Sequence, residues 1–252
     1  MPIEIRRAEE IHAVDGGWFS ARWHFSFSHY HDPERMGVGP LRVFNDDRLA
    51  PGAVWPMHPH QDVESLTYVV EGRFGHADSL GNGGELHPGA AQVMTFGSRG
   101  ADHSERNLDP DRPMRFLQFW ILLDREVPTS AIQQRQWHVE DRTDRWLTIM
   151  SPHGEDGLDL HQDARVSVAR LTAGRELVHE VADGRGGYVY VIDGGVGVTS
   201  KETSDEVAGG DAVVVHGSDR LVLTGRDEAS ELWLADVPLA FEPHGIWARL
   251  GV

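Results

Sequence analysis

Two short patterns in this sequence carry side chains that can bind a metal. His58 and His60 stand one residue apart in WPMHPHQDVE, and His103 and Glu105 stand one residue apart in GADHSERN. Alternate residues of an extended strand share a face, so each pair aims both side chains into one space. Pro59 then points the other way, and its missing N–H suits a strand end or an edge. Three neutral imidazoles and one carboxylate make a donor set for Fe(II), Mn, Ni, Cu(II) or Zn. Metal–ligand distances in such sites are about 2.0–2.2 Å. Four protein ligands on an octahedral metal leave open positions for a substrate and dioxygen. A single histidine among the 15 in the chain is ordinarily a surface residue or a hydrogen-bonded core residue. Two inward-facing pairs are harder to explain by packing, because buried imidazole and carboxylate groups are costly unless something coordinates them.

The elements around these pairs read as strands. GWFSARWHFSF, LTYVVEGRFGHAD, AQVMTF, MRFLQFWILL, GYVYVIDGGVGVTS, DAVVVHG and LVLTG are rich in β-branched and aromatic residues, and turn formers bound most of them. Long amphipathic helices are scarce. SLGNGGELHPG reads as a hairpin connection with Asn82-Gly83 at its centre. VVEGRFGHADSLGNGGELHPGAAQVMTFGS is echoed about 120 residues later by VIDGGVGVTSKETSDEVAGGDAVVVHGS, which indicates a duplicated all-β unit. The polar stretch DREVPTSAIQQRQWHVEDRTDRW reads as a connection between the copies. The expected boundaries are a metal-binding domain over 1–125, a connection over 126–160 and a second domain over 161–252. The tail PLAFEPHGIWARLGV keeps apolar residues and is expected to pack back on a barrel.

Composition narrows the function classes. The chain has 252 residues and no cysteine, which excludes disulfides, zinc–thiolate sites, iron–sulfur clusters and thiol nucleophiles. Lys plus Arg number 23 against 40 Asp plus Glu, a formal charge of -17. A field of that sign repels phosphate backbones and anionic lipid, so neither direct nucleic-acid binding nor membrane binding is expected. MPIEIRRAEEIHAVDGG lacks the apolar core of a secretory signal, and no stretch approaches the ~18 apolar residues of a membrane span. A cytoplasmic protein is expected.

At this point the residues resemble a known family. Gly52-x5-His58-x-His60-x3-Glu64 followed by Gly100-x2-His103-x3-Asn107 is similar to the two cupin motifs. More narrowly, MHPHQDVESLTYVVEGRFGHADSLGNGGELHPG and HSERN resemble the pirin family, with GPLRVFNDDRLAPG upstream and LQFWI downstream extending the likeness. The resemblance implies a bicupin, two β-barrels in one chain with a single metal in the first. It carries the ligand set onto His58, His60, His103 and Glu105. General cupins often use the glutamate at the position of Glu64, and parity puts Glu64 on the histidine face, so it stands as a rival ligand or a supporting partner. His29 and His31 share the same spacing but fall on an expected loop beside the pocket. His76 and His87 flank the hairpin and are expected to be exposed. The second copy offers only His179 where a pair would be needed, and His216 aligns with Thr95, so its barrel is expected to be metal-free.

Some pirin-like proteins resemble quercetin 2,3-dioxygenases, which open the central ring of a flavonol with O2 and release carbon monoxide. The resemblance therefore implies a dioxygenase with one divalent transition metal, Fe(II) first, a flavonol-like aromatic substrate and Glu105 as general base. The alternative is a non-enzymatic regulator whose metal oxidation state biases the binding of a protein partner. A monomer is expected.

Overall fold

A computed structural model describes residues 3–154 and 156–251. Nearly all regular structure is antiparallel strand, and the chain divides into two compact units. The N-terminal unit comprises His12–Trp137, Leu158–Gln162 and Glu242–Val252, and the C-terminal unit comprises Met1–Ile11, His138–Gly157 and Asp163–Phe241. Each unit is thus assembled from separated segments, where the sequence suggested successive domains.

The N-terminal unit is two sheets folded over one core. Its seven-stranded sheet runs in the order Ala131–Gln136, Ala90–Phe96, Val63–Glu71, Met114–Leu122, Leu41–Leu49, Phe19–Trp23, His12–Asp15. Its four-stranded sheet runs Val54–His60, Ala101–Asn107, Phe74–Asp78, Gly83–Leu86. Leu49, Val69, Phe74, Met114 and Phe116 pack between them. The C-terminal unit repeats the plan. Its larger sheet runs Glu4–Arg6, Ala212–His216, Arg185–Asp193, Ala229–Pro238, Arg165–Thr172, Leu147–Pro152, and its smaller one Glu176–Val181, Asp219–Gly225, Gly195–Thr199, Ser204–Ala208. Corresponding strands occupy corresponding places, which is the bicupin architecture. The C-terminal interior is filled by aliphatic side chains such as Leu171, Val189, Val191, Leu221 and Leu232.

Three local readings need correction. The stretch expected as a connection contains the strand Ala131–Gln136, paired along its length with Ala90–Phe96. Its polar side chains disguise it, because it is a mostly exposed edge strand with no alternating apolar face to betray it. The hairpin is centred not on Asn82-Gly83 but on Leu80-Gly81. The Asp78 carboxylate accepts from the backbone N–H groups of Leu80 and Asn82, both at 2.9 Å, and Gly83 already begins the next strand. The histidine strand also ends earlier than parity assumed. Asp62 adopts a left-handed φ of 54° between Val54–His60 and Val63–Glu71, so the inside–outside count restarts there. The tail contributes the helix Gly245–Leu250, whose Ile246 N–H donates to Asp62 at 3.0 Å. No helix among the described residues is long and apolar enough to cross a membrane.

The strand Ala101–Asn107 is anchored at its far end. The buried Asn107 amide donates to the carbonyls of Leu49, Ala50 and Arg112 at 3.3, 3.1 and 2.8 Å. Asn107→Ala leaves those acceptors without their donor and should destabilise the fold by about 1–3 kcal/mol in urea denaturation.

Candidate metal centre

Antiparallel pairing brings the two histidine patterns together. His103 lies directly opposite His58, and Ala101 opposite His60. The pairing shifts register between His103 and Glu105, where Glu105 meets Trp55, so the bulged strand turns both Trp55 and His58 toward the interior. Gly100 makes the close approach possible. Its φ is +67°, and a Cβ there would sit 2.9 Å from the His60 carbonyl oxygen.

The three rings form a compact triangle, with centroids 4.8 Å (His58–His60), 4.6 Å (His58–His103) and 4.8 Å (His60–His103) apart. One ligand nitrogen from each lies within 4.8 Å of the other two. The His58 Nδ1 sits 2.8 Å from the Pro56 carbonyl. A carbonyl only accepts, so Nδ1 carries the proton and Nε2 keeps the lone pair. His60 is wedged between Phe96 and Trp120, with ring centroids at 4.8 and 4.9 Å. Burial, reinforced by His58, lowers its pKa to about 3. Burial, then the neighbouring His60, His58 and His76, lowers that of His103 to about 2. Burial thus keeps His60 and His103 neutral, the form that ligates.

Glu105 stands beside the triangle, its Oε1 3.4 Å from His103 Nε2, although it falls outside the set of mutually close ligand atoms. Burial pushes its carboxyl up to about 8. Both ring nitrogens of His103 and the Oε2 of Glu105 are buried with no hydrogen-bond partner. Orphaned polar atoms of this kind are rare in folded proteins and need an explanation. A divalent transition metal would take up one His103 ring nitrogen and the Glu105 carboxylate, so the donor chemistry fits such an ion.

The other candidates separate cleanly. Glu64 lies on the opposite face of the larger sheet. It is fully buried, accepts from Thr95 Oγ1 and the His161 backbone N–H, and pairs with His161 Nδ1 at 2.9 Å. The broken strand at Asp62 is the physical reason that parity misplaced it. His161 carried no motif and was missed. His29, His31 and His87 are exposed. His76 is not, contrary to expectation. It is 5% exposed, stands directly across from Glu105, and its ring centroid is 5.8 Å from that of His103. In the C-terminal unit, His179 Nε2 sits 3.0 Å from the Asp236 carboxylate.

A cavity of about 230 Å³ opens beside the triangle. Phe27, Trp55, Phe116 and Trp120 give it aromatic walls, and Asn45, Asp47 and Gln118 give it a polar side. The sequence held a signal for these residues. Asn45 and Asp47, and Phe116, Gln118 and Trp120, recur at period two in LRVFNDDRL and MRFLQFWIL, and polar groups at inward positions of apolar strands have a purpose.

Two measurements test this geometry. Protein purified without chelator should carry about one metal per chain by elemental analysis. His103→Ala should lose most of it, whereas Glu64→Gln should retain it. The Glu64–His161 pair should instead appear in folding stability. The hydrogen bond to Glu64 raises the His161 pKa above its ordinary value, so the pair stabilises the fold fully below that ordinary value, and the contribution fades as pH rises through the raised one. Glu64→Gln should therefore destabilise more at about pH 5.5 than at about pH 9 in urea denaturation.

Comparison with known proteins agrees with this fold. Residues 5–121 match the family described as Pirin, and residues 148–237 match the quercetinase C-terminal cupin domain. The chain is 35% identical to a quercetin 2,3-dioxygenase of Escherichia coli K12, covering 94% of this chain and 99% of that protein. It is 37% identical to a pirin-like protein of Caulobacter vibrioides over 78% of this chain and 84% of that one. Among solved structures it is similar to a bacterial pirin from Escherichia coli in complex with nickel(II), with a TM-score of 0.86 and 31% identity, covering 95% of this chain and 100% of that one. A relative matched over nearly its whole length, two family matches that span both barrels and a shared fold lead to one conclusion: this chain belongs to the pirin family.

Proposed function

We propose that the N-terminal unit is a metal-dependent dioxygenase of the pirin type, opening the ring of a flavonol-like substrate with O2. The observation that carries this reading is a cavity with aromatic walls, lined by His58, His60 and the buried Glu105 carboxyl, beside the triangle that these histidines form with His103. The name of the Escherichia coli relative and the nickel(II) complex of the similar pirin support it.

His58, His60 and His103 would hold the metal, with Glu105 as fourth ligand or as the base beside it. A divalent transition metal there, iron(II) first, with Mn, Ni, Cu or Zn also accepted by these donors, would supply Lewis-acid polarisation of substrate oxygens and, for the redox-active ions, electron exchange with dioxygen. The protein does the rest. Burial raises the Glu105 carboxyl to about 8. Its proton-accepting carboxylate form would be favoured by a cation held at the neighbouring histidines, and in that form it can take the proton of an acidic enolic hydroxyl. Phe27, Trp55, Phe116 and Trp120 offer flat apolar surfaces that orient a planar aromatic and exclude water from the reacting face. The Pro56 carbonyl fixes the His58 ring.

Oxygen uptake with quercetin, followed with the bleaching of its visible band, tests the proposal on protein reconstituted with Fe(II), Mn, Ni or Cu in turn. Wild type should turn over with at least one metal. Glu105→Gln, its metal content measured alongside, should fall by about 100-fold or more, because an amide accepts no proton. No uptake with any metal would sink the enzyme reading. In that case, an affinity for a protein partner that differs between Fe(II) and Fe(III) forms would put a regulatory role in its place.

A further inference from the structure

Leu41–Leu49 carries Asn45, Asp46 and Asp47 in a row through the middle of the larger sheet, and their fates differ. Asp46 points away from the cavity. Its side chain is fully buried and clamped by Arg115, Nε to Oδ1 at 3.0 Å and Nη2 to Oδ2 at 2.7 Å. Asn45 and Asp47 point the other way. They pair across the sheet with Gln118 and Phe116, and all four line the cavity beside the histidine triangle.

These two polar side chains are buried, yet the protein does not satisfy them. Asp47 is 6% exposed, and none of the hydrogen bonds among the described residues involves its carboxyl. Asn45 is 2% exposed, and its Oδ1 has no partner. Gln118 between them is a useful contrast. Its amide donates to Ser65 Oγ at 2.6 Å and its Oε1 accepts from Thr67 Oγ1 at 2.9 Å, so both ends are committed. A structural polar group looks like Gln118. Two unsatisfied groups side by side on a cavity wall look like groups kept for something that enters the cavity.

We propose that Asn45 and Asp47 form a recognition strip that hydrogen-bonds the oxygens of the ligand on the wall across from His58, His60 and His103. This rests on the reading that the cavity takes a planar oxygenated aromatic. The two walls belong to facing sheets, so a flat ligand between the aromatic side chains meets the histidines at one edge and the strip at another. Asp47 accepts from an outer-ring hydroxyl or, as the neutral acid, donates to its oxygen. Asn45 does either through its amide. The strip thus selects hydroxylated aromatics over bare ones, because a site built to pair a hydroxyl rejects an analogue that lacks it.

The test compares two flavonols on metal-loaded protein by quenching of tryptophan fluorescence. Quercetin carries hydroxyls on its outer rings, and 3-hydroxyflavone lacks them. Wild type should bind quercetin at least about tenfold more tightly. Asp47→Leu should weaken quercetin by about 10- to 100-fold, leave 3-hydroxyflavone nearly unchanged, and keep both the metal content and the melting temperature. Asp47→Asn should preserve part of the preference, since an amide still hydrogen-bonds. An equal loss for both flavonols in Asp47→Leu, or a markedly lowered melting temperature, would mean Asp47 is structural and overturn the strip. So would an unchanged preference. If wild type binds both flavonols without discrimination, only the strip fails. If it binds neither, the flavonol reading fails and the strip with it.

Discussion

Three imidazoles can share one small volume only if they do not all take up a second proton and become cations, and burial keeps His60 and His103 from doing so. The rings are 4.6–4.8 Å apart, so two imidazolium ions side by side would repel strongly in a buried setting. Burial by Phe96 and Trp120 depresses the basicity of His60, and a backbone carbonyl fixes the tautomer of His58. The sheet must bring Val54–His60 and Ala101–Asn107 into one register to form the triangle at all, and a glycine must stand where the two strands meet. The same enclosure that strips protons from the histidines leaves one on Glu105 at neutral pH. His60, His103 and Glu105 are therefore uncharged together, which lowers the cost of keeping them inside an apolar barrel.

Much of this was legible in the sequence, because it depends on local alternation. Two His-x-(His or Glu) pairs in extended segments announce a shared face whatever the rest of the chain does. The duplicated pattern likewise survived in two units whose strands occupy matching places. What the sequence hid depends on breaks in alternation. Glu64 counts onto the histidine face only if residues 58 to 64 form one strand, and the left-handed Asp62 ends that strand. Trp55 joins the cavity only through a bulge. His76 looked like a hairpin residue, but its strand is buried against the one that bears His103. Ala131–Gln136 lacks an apolar face, so it resembled a linker.

The two carboxyls of the cavity illustrate how neighbouring residues diverge. Asp46 and Asp47 are adjacent and chemically identical, yet the pleat sends one to a guanidinium and the other to a cavity wall. Burial and the charges of Asp46 and Glu105 hold the Asp47 carboxyl well above the usual carboxylate range. A pair of acids written side by side therefore contributes one fixed ion pair and one poised group.

The division of the chain into interleaved units has a consequence for how it is made. Met1–Ile11 belongs to the unit that holds most of the second half, and Glu242–Val252 belongs to the unit that holds the metal centre. As the chain leaves the ribosome, its first strand must wait for Ala212–His216, more than 200 residues later, to find a partner. The histidine-bearing unit in turn lacks its closing helix until the last residues described have emerged. Neither unit can be completed before the other has been synthesised almost in full. Sequence separation of this order slows folding, because a long loop must close before the pairing can form. A cut between the two halves of the chain would therefore leave each piece short of a strand or helix that its own unit needs.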